Sequence, residues 1–128
     1  MEYYFSKTLN ASFDEAIKII TEALKAEGFG VITEIHMHEK LKEKLNVDFK
    51  RYTILGACNP PFAYKALQAE DKIGTMLPCN VLVIEQGPAN IEIAAVNPIA
   101  SMQAITNPAL GDVAQQVTDK LKNVISNL

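Results

Sequence analysis

Tryptophan is absent from this chain, and cysteine and histidine occur only twice each. Neither cysteine belongs to a Cys-x-x-Cys pair, so the strong zinc and thioredoxin signatures are missing. No apolar run approaches the ~20 residues that a membrane helix needs. The N-terminus carries Glu2 and no basic-then-apolar leader. The expectation is a soluble cytoplasmic protein that leaves membranes alone and keeps its cysteines as thiols. Positive charge is also scarce, with a net charge of −3 and a pI near 5.3. Phosphate binding needs a concentrated basic surface, so nucleic acid is not an expected partner. The densest basic stretch, Lys40, Lys42, Lys44, Lys50 and Arg51, is interleaved with Glu39, Glu43 and Asp48, the pattern of a solvated helix face. There is no Gly-x-Ser-x-Gly elbow and no phosphate-loop or dinucleotide motif. No cofactor is identified, and whether any reaction is catalysed is left open.

What the chain does have is apolar substance. Hydrophobic residues make up 48% and charged residues 21% of 128 residues. That suits one folded domain and excludes disorder. Glu2 to Thr8 reads as an opening strand. Ser12 with Glu15 forms a capping box, and Phe13, Ala16, Ile17, Ile20 and Leu24 recur at helical spacing, which predicts a helix over 13–27 stopped by Gly28. A second strand is predicted over 31–37. Strict alternation puts Val31, Thr33, Ile35 and Met37 on one face and Ile32, Glu34, His36 and His38 on the other. Residues 39–46 predict a short charged helix, and 50–58 a third strand.

Asn59 as cap and Pro60 at the first helical position open another helix, with Phe62, Ala63, Ala66 and Leu67 as its buried stripe. Residues 71–77 add a further turn. Strands over 79–85 and 91–96 flank the turn cluster Gln86-Gly87-Pro88-Ala89-Asn90, the clearest hairpin in the chain. Asn97-Pro98 opens a short helical turn. Asp112 with Gln115 repeats the capping logic before a final helix lined by Val113, Val117, Leu121, Val124 and Leu128. Met37, Met76 and Met102 read as core filler. This order predicts a single α+β domain, residues 1–128: a mostly antiparallel sheet, β-α-β4-α with an inserted helix, and a long C-terminal helix packed on it.

Leu55-Gly56-Ala57-Cys58-Asn59-Pro60-Pro61, Ala66-Leu67, Ile73-Gly74 and Leu77-Pro78-Cys79-Asn80-Val81 resemble, in residues and spacing, the bacterial and archaeal family known only as domain of unknown function 302 (DUF302). The resemblance covers essentially the whole chain. It implies a curved, TATA-binding-protein-like sheet with the long C-terminal helix on it, and a homodimer. It transfers no activity and no catalytic residue.

Both cysteines precede an asparagine at a strand–turn junction, so the candidate ligand site is the corner of Cys58, Asn59, Pro60, Pro61, Pro78, Cys79 and Asn80. If the third and fourth strands are antiparallel neighbours, Cys58 and Cys79 face one another, and directly opposed Cα atoms lie ~4.5–5.5 Å apart, within disulfide range. The helix start at Pro60 makes Cys58 the more reactive thiol. Two small residues at crowded strand ends account for the same pattern. His36-x-His38, with Glu34 on the same face, has a spacing that metal sites use and could take a cysteine as a further ligand. Two exposed histidines before a charged helix are the plainer account, and no metal is expected. The leading expectation is therefore a dimeric, non-catalytic protein that binds a small molecule or partner. The alternatives are a thiol-based redox or metal-binding protein using Cys58 and Cys79, and a purely structural role.

Overall fold

A computed structural model describes residues 1–128. Five strands, β1 (Tyr4–Leu9), β2 (Gly30–His36), β3 (Tyr52–Cys58), β4 (Cys79–Gly87) and β5 (Asn90–Val96), form one sheet in the order β1-β5-β4-β3-β2. Every neighbouring pair is antiparallel. The helices are α1 (Phe13–Ala26), α2 (Met37–Leu45), α3 (Pro60–Ala69), α4 (Pro98–Ser101) and α5 (Gly111–Ser126), with 3-10 turns at Asp71–Met76 and Pro108–Leu110. This is the α+β architecture that the element order implies. No helix is long and apolar enough to cross a membrane.

One sheet face is dry because α1 and α5 cover it. Phe13, Ala16, Ile20 and Leu24 of α1 and Val117, Leu121, Val124 and Ile125 of α5 meet Leu55, Ala57, Val81, Val83, Ile91, Ile93 and Ala95 in a continuous core. Each fully buried aliphatic side chain there contributes about 1.5–3 kcal/mol. Helix α1 starts where the sequence says it should: the Ser12 hydroxyl accepts a hydrogen bond from the Glu15 backbone N–H at 3.2 Å. Gly28 follows it with φ +87°, a conformation that suits only glycine without strain.

Helix α5 starts differently. Its entry residue, Leu110, already has helical dihedrals (φ −86°, ψ −19°) and offers no side-chain cap. The chain enters α5 directly from the 3-10 turn, and Asn107 caps that turn by accepting from the Ala109 N–H at 3.0 Å. Asp112 therefore lies inside the first turn, where Gln116 donates to it at 2.7 Å, and the expected Asp112–Gln115 box does not form.

Strand β2 departs most from its sequence pattern. Val31 opposes Ala57, but Thr33 opposes Gly56, so a bulge at Ile32 breaks the alternation. Val31 and Thr33 consequently point to opposite faces. Beyond the bulge, Glu34 and His36 pair with Leu55 and Thr53 and share the helix-covered side, while Thr33 and Ile35 join the open face. Ile32 is left 62% exposed. The strand ends at His36, so His38 belongs to the first turn of α2, a helix that buries no residue. Gly56 makes this crowding possible, because a Cβ there would lie 2.0 Å from Thr33 Oγ1 and 2.7 Å from Pro78 Cγ.

Candidate functional site

Strands β3 and β4 are antiparallel neighbours, and the two cysteines do meet at one end of them. They are one step out of register: Cys79 opposes Ala57, and Cys58 lies beyond it, opposite Gly30 of β2. The directly opposed pair expected from the sequence is thus corrected. Both are free thiols. They share the wall of one cavity of about 250 Å³ between the ends of β3 and β4 and the helices α3, α4 and α5. Cys79 is buried and Cys58 half-buried. Burial pushes the Cys79 thiol up to about 11, and the neighbouring Cys58 adds to the rise. Desolvation disfavours the thiolate, so Cys79 stays a neutral, apolar wall group at ordinary pH.

Of the seven residues singled out from sequence, Cys58, Asn59, Pro78 and Cys79 line this cavity. Pro60 and Pro61 begin α3 on its exposed side. Asn80 points to the opposite sheet face and borders a different concavity. Asn59 occupies the N-cap position of α3, but its side chain does not cap. It is buried, and its Nδ2 donates to the Glu27 carbonyl at 3.2 Å, fastening the start of α3 to the end of α1. The anticipated capping role is replaced by a tertiary tether.

Sequence reasoning missed most of the far wall, which comprises Ile32, Leu77, Pro98, Met102 and the α5 residues Val113, Ala114 and Val117. A signal for the near wall existed in Phe62, Ala63, Ala66 and Leu67. Only Ala66 of that stripe is fully buried; Leu67 is 46% exposed because the stripe faces an open cavity, not packed core. Met76, expected in the core, is 39% exposed.

The histidines sit at the other end of β2 and β3. They line a cleft with Phe13, Asp14, Ile17, Lys18, Glu34, Glu39 and Arg51. They are not the fully exposed pair that the sequence suggests: the His36 and His38 side chains retain 36% and 17% of their accessible surface. Donor atoms of His36, His38 and Glu39 lie within 4.8 Å of one another, so these three could hold a metal ion; no cysteine joins them. Arg51 stacks on Phe13 at 4.2 Å and binds Asp14 at 3.0 Å.

A third concavity lies on the open sheet face, between Tyr3, Tyr4, Tyr52, Leu82, Ile84 and Glu92. Burial raises the Tyr52 phenol above its ordinary value, with Tyr3 and Glu92 adding to it.

A comparison with curated proteins finds no match. Among solved structures, the chain is similar to an uncharacterised conserved DUF302 protein from Bacillus stearothermophilus, known from its crystal structure. The two share 28% identity over 98% of each chain, with a TM-score of 0.89. The family model described as "Domain of unknown function DUF302" matches residues 5–128. With the paired Cys-Asn blocks brought to one end of a five-stranded antiparallel sheet, and the match running from β1 to the last residue, the chain belongs to the DUF302 family.

Proposed function

We propose that this protein binds a small, predominantly apolar molecule, without catalysis, in the cavity bordered by Cys58 and Cys79. The observation that carries the reading is the lining: 13 of 16 residues are hydrophobic, and none is charged. Asn59 is the one side chain with an amide, and it already donates to Glu27. Apolar cavities of about 150 Å³ bind benzene-sized molecules, so 250 Å³ suits a ring or a short branched chain. A charged headgroup would find no partner inside and would remain at the mouth. The thiol-redox alternative is weaker, since a thiol held near 11 is a poor source of thiolate.

Calorimetric titration with indole and benzene tests the reading. The expected result is saturable binding with a negative heat-capacity change, the mark of apolar burial. Ala63→Phe, which fills the cavity from α3, is expected to abolish binding while leaving the circular dichroism spectrum unchanged. No binding to the wild type, or undiminished binding to a folded Ala63→Phe variant, would overturn the proposal.

We also infer that the protein is a homodimer, formed through the open sheet face. Ile54, Leu82, Ile84 and Ala94 alternate with the inward core residues and so point away from the helices. Glu92 is the only charged residue around the concavity there, so two copies related by a two-fold axis meet little like-charge repulsion. Leu82→Glu is expected to yield a monomer by sedimentation, and a wild-type monomer at micromolar concentration would refute the inference.

A further inference from the structure

We propose a divalent transition-metal site formed by His36 Nε2, His38 Nε2 and the Glu39 carboxylate, with Glu34 beside it, at the end of the sheet remote from the apolar cavity. Glu34 and His36 come from the end of β2 and His38 and Glu39 from the first turn of α2, and the bulge at Ile32 is what turns Glu34 and His36 toward this side. His36 Nε2 lies 3.5 Å from Glu34 Oε1, and His38 Nε2 lies 3.9 Å from Glu39 Oε2. Donor atoms of the three principal residues fall within 4.8 Å of one another. Bonds of about 2.1 Å to a tetrahedral ion put donors ~3.4 Å apart. The widest of these separations must therefore shrink by about 1.4 Å, and the exposed Glu39 side chain is free to rotate toward the rings.

The stronger argument lies behind the rings. Ligating histidines hold the second ring nitrogen on a fixed partner, which sets tautomer and orientation. His36 Nδ1 is 2.9 Å from the hydroxyl of Thr53, a fully buried residue. His38 Nδ1 is 3.2 Å from the Tyr52 carbonyl and also 2.9 Å from the Tyr52 backbone N–H. One ring nitrogen cannot donate and accept at once. Without metal, His38 can accept from the Tyr52 N–H and leave its proton on Nε2. With metal on Nε2, the proton moves to Nδ1 and is donated to the Tyr52 carbonyl. Both arrangements need almost no movement of the ring, so for His38 metal binding asks only for a change of tautomer.

The charge around the cleft also favours a cation. Three carboxylates, Asp14, Glu34 and Glu39, face two cations, Lys18 and Arg51. Arg51 is held away on Asp14 and the Phe13 ring. Two imidazoles and a carboxylate suit zinc, cobalt, nickel or copper over magnesium or calcium. The physical consequence falls on α2, which buries no residue of its own. Joining His38 and Glu39 in its first turn to His36 of β2 would fasten this helix to the sheet.

The test is calorimetric titration of the full chain with zinc chloride, followed by cobalt absorption spectroscopy and amide exchange. One zinc per chain is expected, bound in the micromolar range, with slowed exchange across Met37–Leu45. Glu39→Gln, a change at an exposed side chain, should weaken binding about tenfold. His36→Ala/His38→Ala should abolish it. If that double variant does not fold, Glu39→Gln and the cobalt spectrum still decide. The spectrum should show nitrogen and oxygen ligands and no thiolate charge-transfer band. No saturable binding at millimolar zinc, undiminished binding in Glu39→Gln or in a folded double variant, or a thiolate band assigning the metal to Cys58 would overturn the proposal.

Discussion

At its Cys58 end, β3 runs into a cavity where 13 of 16 lining residues are hydrophobic; at its Tyr52–Thr53 end it borders a cleft where Phe13 and Ile17 are the only hydrophobic residues of nine. The ends are five residues apart, about 17 Å of extended strand. The same strand thus carries an oily site at one end and a polar one at the other. The difference originates in who covers each end. Helices α3, α4 and α5 close over the cysteines with small apolar residues. The histidine end is roofed only by the first two turns of α1 and the thinly packed α2, so its polar groups keep contact with water. A single sheet supports both because the bulge in β2 resets which side chains face inward partway along the strand.

The largest expected effect is at Gly56, where the two ends are joined. Gly56→Val drives a side chain into Thr33 and Pro78. The expected loss is about 3 kcal/mol, or failure to fold, read by urea denaturation. A loss below 1 kcal/mol would mean that β2 and β4 yield more readily than this geometry allows.

Alkaline pH acts next, on Cys79 at the dry end; the raised Tyr52 phenol at the other end adds a separate decline at higher pH. The folded Cys79 thiol titrates near 11 against a reference of 9.0. Between these values the unfolded chain has released the proton and the folded chain has not, so stability falls as pH rises. Its contribution is intact below 9 and declines through the window, and the loss reaches on the order of 2 kcal/mol by pH 11. Cys79→Ala should remove this part of the decline. An identical alkaline profile in wild type and variant would show that the thiol is not desolvated.

Asn59→Ala removes the bond to the Glu27 carbonyl and leaves that acceptor unpaired beside a buried site. The expected cost is about 1–2 kcal/mol, with thermal unfolding as the measurement. The matching deletion at the wet end, Arg51→Ala, breaks an ion pair whose Asp14 partner is 79% exposed. It should cost about 0.5 kcal/mol, fading as salt is added. Should Arg51→Ala cost as much as Asn59→Ala, the contrast between the two ends would fail.

How far these ends could be read from sequence follows from how local each determinant is. Helix α1 was legible because its start, stripe and stop all lie within it, at Ser12, Phe13 to Leu24, and Gly28. The β4–β5 hairpin was legible for the same reason. The β2 bulge was not, because nothing in Val31-Ile32-Thr33 announces it; its cause lies across the sheet, where Gly56 leaves room for Thr33. The one-residue offset between Cys58 and Cys79 was hidden too, since register belongs to the strand pair and not to either strand. Asn59 showed the right residue for a cap, yet a carbonyl at the end of α1 claimed its side chain. The cavity was visible from one side only, through the stripe on α3, while α4 and α5 reach it over long sequence separations.

A crystal of the wild-type protein pressurised with xenon offers the most direct measurement, since xenon enters dry apolar cavities and avoids hydrated ones. The account predicts a xenon peak enclosed by Cys58, Cys79, Ala63 and Val117, and none in the cleft of His36 and His38. Ordered water filling the cysteine cavity, or xenon absent from it, would contradict the claim that this end of the sheet is built to hold an apolar guest.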